Sequence, residues 1–327
     1  MSSLQSRIFP GHSSLIAPFI ALSAVVLSLM SGCGGEDSMN DGIHCGDEEP
    51  CGWKKVSAGT RQSCGLLLSG EAYCWPDAGL INNAVPREKH FRGVTVGESF
   101  ACGLTKEDEV ECWGSNSQGR TDAPSGEFKQ VSTGQEHSCA VTTEGEIECW
   151  GAPRYGKISA PSGEYKQVSA GAWHNCGIQT DNTIHCWGLD LDPGSELDFG
   201  QTVPPHGEFQ QISSGRLHTC AVRLNNSLTC WGANWGGKSN PPSGEFKQVS
   251  AGGIHTCGVT IDDEVECWGG GSEPDGPYGE YLTSVPPEGT FRQIDAGVSH
   301  SCGVTTDNDM ECWGRDDDGR ATPPELE

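Results

Sequence analysis

The 327-residue sequence predicts an all-β protein, a seven-bladed β-propeller, from three observations. First, similar segments start at Phe91, Phe128, Tyr165, Phe209, Phe246 and Phe291, with a more divergent copy at Trp53. The intervals are 38, 37, 37, 44, 37 and 45 residues, and the last copy runs 37 residues to Glu327, so seven units fill 53–327 and leave no room for a second domain. Second, fourteen cysteines recur in pairs ten residues apart. Third, glycine reaches 46 residues while Leu, Ile, Val and Phe together stay under a fifth of the chain. Such a chain turns often and disfavours helices. Units of about 40 residues suit radial repetition, in which each small sheet buries its faces against its neighbours. An open β-solenoid is the alternative, but it gives no reason for a repeat number that closes a ring.

The N-terminal segment reads as targeting rather than structure. Arg7 supplies a thin positive region and residues 15–30 (LIAPFIALSAVVLSLM) an apolar stretch of secretory length. Ser31-Gly32-Cys33 then resembles a bacterial lipoprotein cleavage box, with Met30 where such boxes usually carry Leu. Residues 1–32 are therefore expected to be a signal peptide and Cys33 the lipidated first residue of the mature protein; an ordinary signal peptide or an uncleaved anchor are the other readings. Gly34 is not the Asp that retains enterobacterial lipoproteins at the inner membrane, which implies an outer-membrane or cell-surface destination, with a periplasmic or secreted protein as the alternative. Residues 33–52 are acidic and Gly-bearing, a tether that cannot bury a core.

Each unit reads as four short strands. In the copy beginning at Phe128, strands are expected at 128–132, 138–142 and 147–150, with a brief extended piece before Ala160-Pro161 as a fourth. Thr143-Glu144-Gly145 makes a three-residue hairpin loop, setting Val141 opposite Ile147 and Cys139 opposite Cys149. Facing cysteines on adjacent antiparallel strands are close enough to bond. The expected bridges are Cys64 with Cys74, Cys102 with Cys112, Cys139 with Cys149, Cys176 with Cys186, Cys220 with Cys230, Cys257 with Cys267, and Cys302 with Cys312. Cys45 and Cys51 close a small loop in the tether, and all 17 cysteines are used once Cys33 carries lipid. Each ten-apart bridge is worth up to about 2.8 kcal/mol in the chain-entropy account. A metal reading fails. Five units read His-x-Cys (His137, His174, His218, His255, His300), but Gln62 and Phe100 stand at that position in the first two, and Phe is no zinc ligand. The histidines are expected to be turn residues bonded to backbone after the Ala-Gly corner.

The unit V-S-A-G-x-x-H-T-C-G-V-T-x-D-x-x-V-x-C-W-G, as in residues 249–269, resembles the repeat of the regulator-of-chromosome-condensation propeller family, in its short-repeat bacterial form, the branch that includes the propeller-type β-lactamase inhibitor protein. The resemblance covers all seven copies and rests on the A-G-x-x-H corner and the closing W-G. It implies a rigid disc that binds another macromolecule through its loops. The two cysteines per unit depart from the family pattern, and the acidic balance removes the basic, DNA-facing character of the chromatin member. Neither nucleotide exchange nor inhibition of a particular enzyme is carried over.

The net charge of −25 excludes a nucleic-acid partner, since phosphate recognition needs a basic footprint. Catalytic motifs are absent: no G-x-S-x-G, no P-loop, no H-E-x-x-H. No enzyme, cofactor or metal is expected. Asp316-Asp317-Asp318-Gly319 lacks the spacing of a calcium loop, and Asp190, Asp192, Glu196 and Asp198 offer a weak cation clasp.

Strand parity locates the binding face. The turn between strands one and two and the connection after strand three emerge on one face; the middle hairpin and the link to the next unit emerge on the other. The second repeats acidic turns and the P-S-G-E link with Glu127, Glu164 and Glu245, and reads as a solvated acidic surface. The first varies. Its corners include Trp173, Leu217 and Ile254, its post-Trp loops Tyr155, Phe199, Trp235, Tyr278 and Tyr281, and both long insertions fall there. Exposed aromatics on variable loops serve protein-binding hot spots. The expected function is a surface-anchored, monomeric recognition module for a protein partner. A carbohydrate-binding propeller is the alternative, less favoured because the aromatics do not recur once per unit, and a secreted hydrolase or enzyme inhibitor comes third.

Overall fold

The computed structural model describes Ile43 and residues 51–76, 81, 84–189, 197–270 and 283–327. Seven sheets follow one another along the chain, each of three antiparallel strands in sequence order. Blade 1 holds β1 (Trp53–Ala58), β2 (Ser63–Leu67) and β3 (Ala72–Trp75); blade 2 holds β4 (Phe91–Val96), β5 (Phe100–Thr105) and β6 (Val110–Gly114). Blade 3 holds β7 (Phe128–Thr133), β8 (His137–Thr142) and β9 (Ile147–Gly151), and blade 4 holds β10 (Tyr165–Ala170), β11 (His174–Gln179) and β12 (Ile184–Gly188). Blade 5 holds β13 (Phe209–Ser214), β14 (His218–Arg223) and β15 (Leu228–Gly232). Blade 6 holds β16 (Phe246–Ala251), β17 (His255–Thr260) and β18 (Val265–Gly269); blade 7 holds β19 (Phe291–Ala296), β20 (His300–Thr305) and β21 (Met310–Gly314).

The register is the expected one, with Val141 opposite Ile147 and Cys139 opposite Cys149. All seven ten-apart disulfides are formed, with Cα atoms 4.0–4.1 Å apart. The Cys45–Cys51 pairing and Cys33 involve residues outside those described. The fourth strand is absent from the described blades. The link that was to supply it runs through Pro124, Pro161, Pro241 or Pro286, and a residue without an N–H cannot join a ladder.

A chain poor in aliphatics folds because its core is divided into seven thin layers, one per seam. Six of the layers set the disulfide face of one blade against the opening aromatic of the next, as Cys102 and Leu104 of blade 2 lie with Phe128 and Trp150 of blade 3, and the seventh sets Cys220 and Val222 of blade 5 against Val249 and Ala251 of blade 6. Trp53, Phe91, Phe128, Tyr165, Phe209, Phe246 and Phe291 are all buried to 2% exposure or less. The residue after the first cysteine must be small because that aromatic ring lies over it: a Cβ on Gly103 would sit 2.4 Å from Phe91.

Each blade also grips its successor by hydrogen bonds. The Gln130 side chain donates to the Val168 carbonyl and accepts from its N–H, both at 2.9 Å. Gln167 does the same to Ile212, Gln211 to Val249, Gln248 to Ile294, and Gln293 to Val56, the last closing the ring. Lys55 and Gly93 occupy this position in blades 1 and 2. Two residues further, the hydroxyls of Ser57, Thr95, Ser132, Ser169, Ser213 and Ser250 each accept the next blade's N–H. Asp295 takes this role at the closing seam, accepting from Ala58 N–H at 2.8 Å. Beside that seam Ile43 bridges Leu326 in parallel, with Ile43 N–H bonded to the Glu325 carbonyl at 2.9 Å.

The corner glycines form a ring of their own. A Cβ on any of Gly59, Gly97, Gly134, Gly171, Gly215, Gly252 or Gly297 would lie 2.1–2.8 Å from the carbonyl of the next in the series, and Gly297 leads back to Gly59. Only glycine lets seven backbones approach so closely around an axial cavity of about 240 Å³, which is lined by these glycines and the hydroxyl ring.

Candidate functional site

The two faces separate as strand parity requires. Post-Trp residues bond to corners of their own blade, as Ala152 N–H to the Glu136 carbonyl and Ala233 N–H to the Leu217 carbonyl, each within 3.0 Å. On the opposite face the middle hairpins meet the interblade links, as Thr143 N–H does the Glu127 carbonyl. Asp108, Asn182, Asn226, Asp263 and Asn308 take left-handed conformations in these hairpins, which explains the recurring Asx. Glu127, Glu164 and Glu245 are exposed there. The face is less uniformly acidic than expected: Arg92 pairs with Asp108, Lys247 with Asp263 and Lys89 with Glu111, while Lys166 and Arg292 bond Asn182 and Asn308.

On the corner face the structure gathers four of the eight sequence-selected residues into two pairs. Tyr155 from the loop after β9 meets Trp173 from the β10–β11 corner edge to face, centroids 5.3 Å apart. Phe199 meets Trp235 in the same manner at 4.7 Å. Trp235 is 56% exposed, and Tyr155, Trp173 and Phe199 are half-buried. Tyr155 sits at φ +65° in a one-turn 3-10 segment whose equivalent residues are Gln118 and Gly236. A bulky side chain held in the left-handed region costs roughly 1–2 kcal/mol. Ile254 is half-buried, but Leu217 is only 4% exposed, so it is a packing residue and not a surface contact, against the expectation. Its corner sends one residue, Arg216, outward and the next inward. Tyr278 and Tyr281 lie outside the described residues, as do Asp190, Asp192 and Glu196.

Beneath the aromatics lie cations that sequence reasoning missed. Lys157 is buried with Nζ 5.6 Å from the Trp173 ring centroid and 3.9 Å from the Glu136 carboxylate. Lys238 is buried with Nζ 5.3 Å from the Trp235 ring and 2.9 Å from the Gly253 carbonyl. Burial lowers the Lys157 ammonium, and burial aided by the charge of Arg216 lowers that of Lys238 to about 8. Asp316 accepts Ala321 N–H and the Thr322 hydroxyl, while Asp317 and Asp318 pair with Arg315 and Arg320, so this acidic run is spent on its own loop. Among the described residues no cluster of His, Cys, Asp or Glu is arranged to hold a metal ion.

The five histidines are not turn residues. All are fully buried at the start of a second strand, each with Nε2 on a side chain of the next blade: His137 on Asn175, His174 on Thr219, His218 on Thr256, His255 on Ser301 and His300 on Ser63, at 2.6–2.8 Å. Thr256 and Ser63 spend their own protons on the Lys238 and Arg320 carbonyls, and Asn175 presents its oxygen. Nε2 is therefore the donor at those seams, and every Nδ1 is left without a partner. The same loop carbonyls accept the Trp Nε1–H, as Arg120 from Trp150, Lys157 from Trp187 and Lys238 from Trp268.

The family model for the regulator of chromosome condensation (RCC1) repeat matches residues 91–120, 128–157, 165–192, 209–234 and 291–320. The crystal structure of the CRINKLY WD40 ectodomain from the Arabidopsis thaliana receptor kinase ACR4 is similar at 25% identity and TM-score 0.67, over 85% of this chain and 100% of that one. The ectodomain of the Physcomitrella patens receptor kinase CR4 is similar at 23% identity and TM-score 0.66, over 81% and 74% of the two chains. Prp20p from Saccharomyces cerevisiae shares the fold at 16% identity and TM-score 0.61, over 86% and 85%. Five of the seven repeats thus match the RCC1-repeat model, and the ring of seven blades is similar in fold to the CRINKLY ectodomain and to Prp20p.

Proposed function

We propose that this protein is a non-catalytic recognition module that binds a protein partner through the corner face of blades 3 to 6. The observation that carries this reading is the set of two aromatic pairs, Tyr155 with Trp173 and Phe199 with Trp235, on loops held by a rigid ring. Tyr155 adds weight, because blade 3 keeps an aromatic at a left-handed position where blades 2 and 5 have Gln118 and Gly236. The pairs do not recur from blade to blade, which suits one asymmetric protein footprint better than repeated sugar subsites.

Seven disulfides suit an oxidising compartment, and two of the similar structures are ectodomains, so the module is assigned to the exported side of a membrane. Lipidation at Cys33 would anchor it there; Cys33→Ala should release the protein from the membrane fraction or stall its processing. For the binding face, residues 43–327 serve as bait against envelope and culture proteins, beside a glycan array. Trp235→Ala and Trp173→Ala should each weaken partner capture by on the order of 2 kcal/mol with the fold unchanged. Capture indifferent to both changes, or binding only on the glycan array, overturns the reading.

A further inference from the structure

The glutamine clasp is missing where blade 2 meets blade 3. In blade 7 two neighbouring side chains hold blade 1: Arg292 donates to the Trp53 carbonyl, and the Gln293 carboxamide donates to the Val56 carbonyl at 2.8 Å and accepts its N–H at 3.0 Å. Blade 2 repeats the first half alone. Arg92 donates to the Phe128 carbonyl at 2.7 Å, but Gly93 stands where the carboxamide belongs, and among the described residues no side chain bonds the Val131 N–H or carbonyl. The seam is open at this point. Val56, Val168, Ile212, Val249 and Ile294, which receive a glutamine, are exposed to 2% or less, whereas Val131 is partly exposed. A Cβ on Gly93 would meet a single atom within 4 Å, the Lys55 Nζ at 3.8 Å. Lys55 is itself exposed, and its ammonium makes no hydrogen bond or ion pair among the described residues. The slot lies toward the hairpin face, because β4 enters from the interblade link on that side.

Val131 presents a donor and an acceptor side by side, as Val168 does to Gln130. A primary carboxamide, with a carbonyl oxygen and an amino hydrogen in one plane, answers both. A carboxylate would bond the N–H and the Lys55 ammonium but set an oxygen against the Val131 carbonyl, and an aliphatic side chain would cover both backbone groups and leave them unpaired. We propose that this slot is a second binding site, on the face opposite the aromatic pairs, for a primary carboxamide: the glutamine side chain of a peptide segment of a partner. The side chain enters over Gly93, makes to Val131 the two bonds that Gln130 makes to Val168 within the chain, and turns the second lone pair of its oxygen to Lys55. The site does not depend on the corner-face role proposed above.

The test follows the Val131 amide by NMR in isotope-labelled, disulfide-bonded protein while glycine-serine heptapeptides with a central glutamine, glutamate or norvaline are added to millimolar concentration. The glutamine peptide should shift that amide saturably and bind about tenfold more tightly than the other two. The amides of Val168, Ile212, Val249 and Ile294, whose seams are already clasped, should not respond. Gly93→Gln should fill the slot from within, abolish the response and raise the melting temperature. Lys55→Met should weaken glutamine binding roughly threefold and leave glutamine the preferred residue. An unresponsive Val131 amide in the native protein overturns the proposal, as does a norvaline peptide that binds as well, or a response that survives Gly93→Gln. Glutamate binding that equals or exceeds glutamine binding would make the slot an anion site of Lys55 and overturns the carboxamide assignment.

Discussion

Acidification from pH 7 to pH 5 is expected to destabilise the ring steeply through its five seam histidines. His137, His174, His255 and His300 are pushed down to about 3, and His218 well below its ordinary value, in every case first by burial. Nearby cations add to this: Lys157 at His137, Lys238 at His218 and His255, and Arg320 at His300. In the unfolded chain each imidazole returns to about 6.5, so as the pH falls the unfolded state takes up protons first. The stability is whole above pH 6.5, falls below it, and keeps falling until the native imidazoles protonate, near pH 3 for His137, His174, His255 and His300. Between pH 7 and pH 5 one such group costs about 2 kcal/mol, and five cost on the order of 10 kcal/mol, the full stability of an ordinary domain. Guanidinium unfolding without reductant, followed by tryptophan fluorescence at pH 7, 6 and 5, reads the effect directly. A five-proton uptake gives a slope approaching roughly 7 kcal/mol per pH unit near pH 5. His218→Gln, the residue type that blade 1 uses as Gln62, should reduce the uptake by one proton. A flat profile, or native imidazole resonances titrating near their ordinary value, would refute the reasoning.

Tyr155→Gly should raise stability by about 1 kcal/mol in thermal unfolding, by relieving the left-handed tyrosine, while partner capture falls. Asp295 acts opposite in sign to the histidines: burial raises its carboxyl, so its penalty is fully present at neutral pH and is relieved as the pH drops through the raised value. Asp295→Ser, which restores the hydroxyl of the other six blades, should raise the neutral-pH melting temperature and remove that part of the pH profile. Gly134→Ala should cost more than about 2 kcal/mol in urea titration, because its Cβ would meet the Gly171 carbonyl at 2.1 Å with rigid backbone on both sides.

Whatever a single repeat contains was legible before folding: strand positions, the Cys139–Cys149 register, and which loops share a face. What needed two repeats at once was not. The fourth strand failed because an extended segment tells nothing of whether a ladder partner waits for it, and the prolines argued against one. The histidine role stayed hidden because its partner lies one unit ahead, 38 residues on for His137 with Asn175. One signal was available: blade 1 lacks the histidine where blade 2 offers Ala101 instead of a hydroxyl or amide. At the site, Tyr155, Trp173, Phe199 and Trp235 could be chosen as aromatics on variable loops. Leu217 and Lys238 could not be placed, because burial of a loop residue depends on how the neighbouring corner covers it.

The tryptophan clasp has a consequence for how such a protein can change. Trp231 Nε1 holds the Gln201 carbonyl and Trp313 Nε1 the Thr283 carbonyl, each thirty residues back, the spacing also seen from Trp150 to Arg120. Yet the units that contain Gln201 and Thr283 are 44 and 45 residues long, and the one that contains Arg120 is 37. All added length falls upstream of the clasp, after the third strand has ended, where it alters neither ladder nor seam. The ring thus behaves as a chassis with two open sockets, between Gly188 and Gln201 and between Gly270 and Thr283. New recognition sequence can be spliced into either socket without re-registering a single blade.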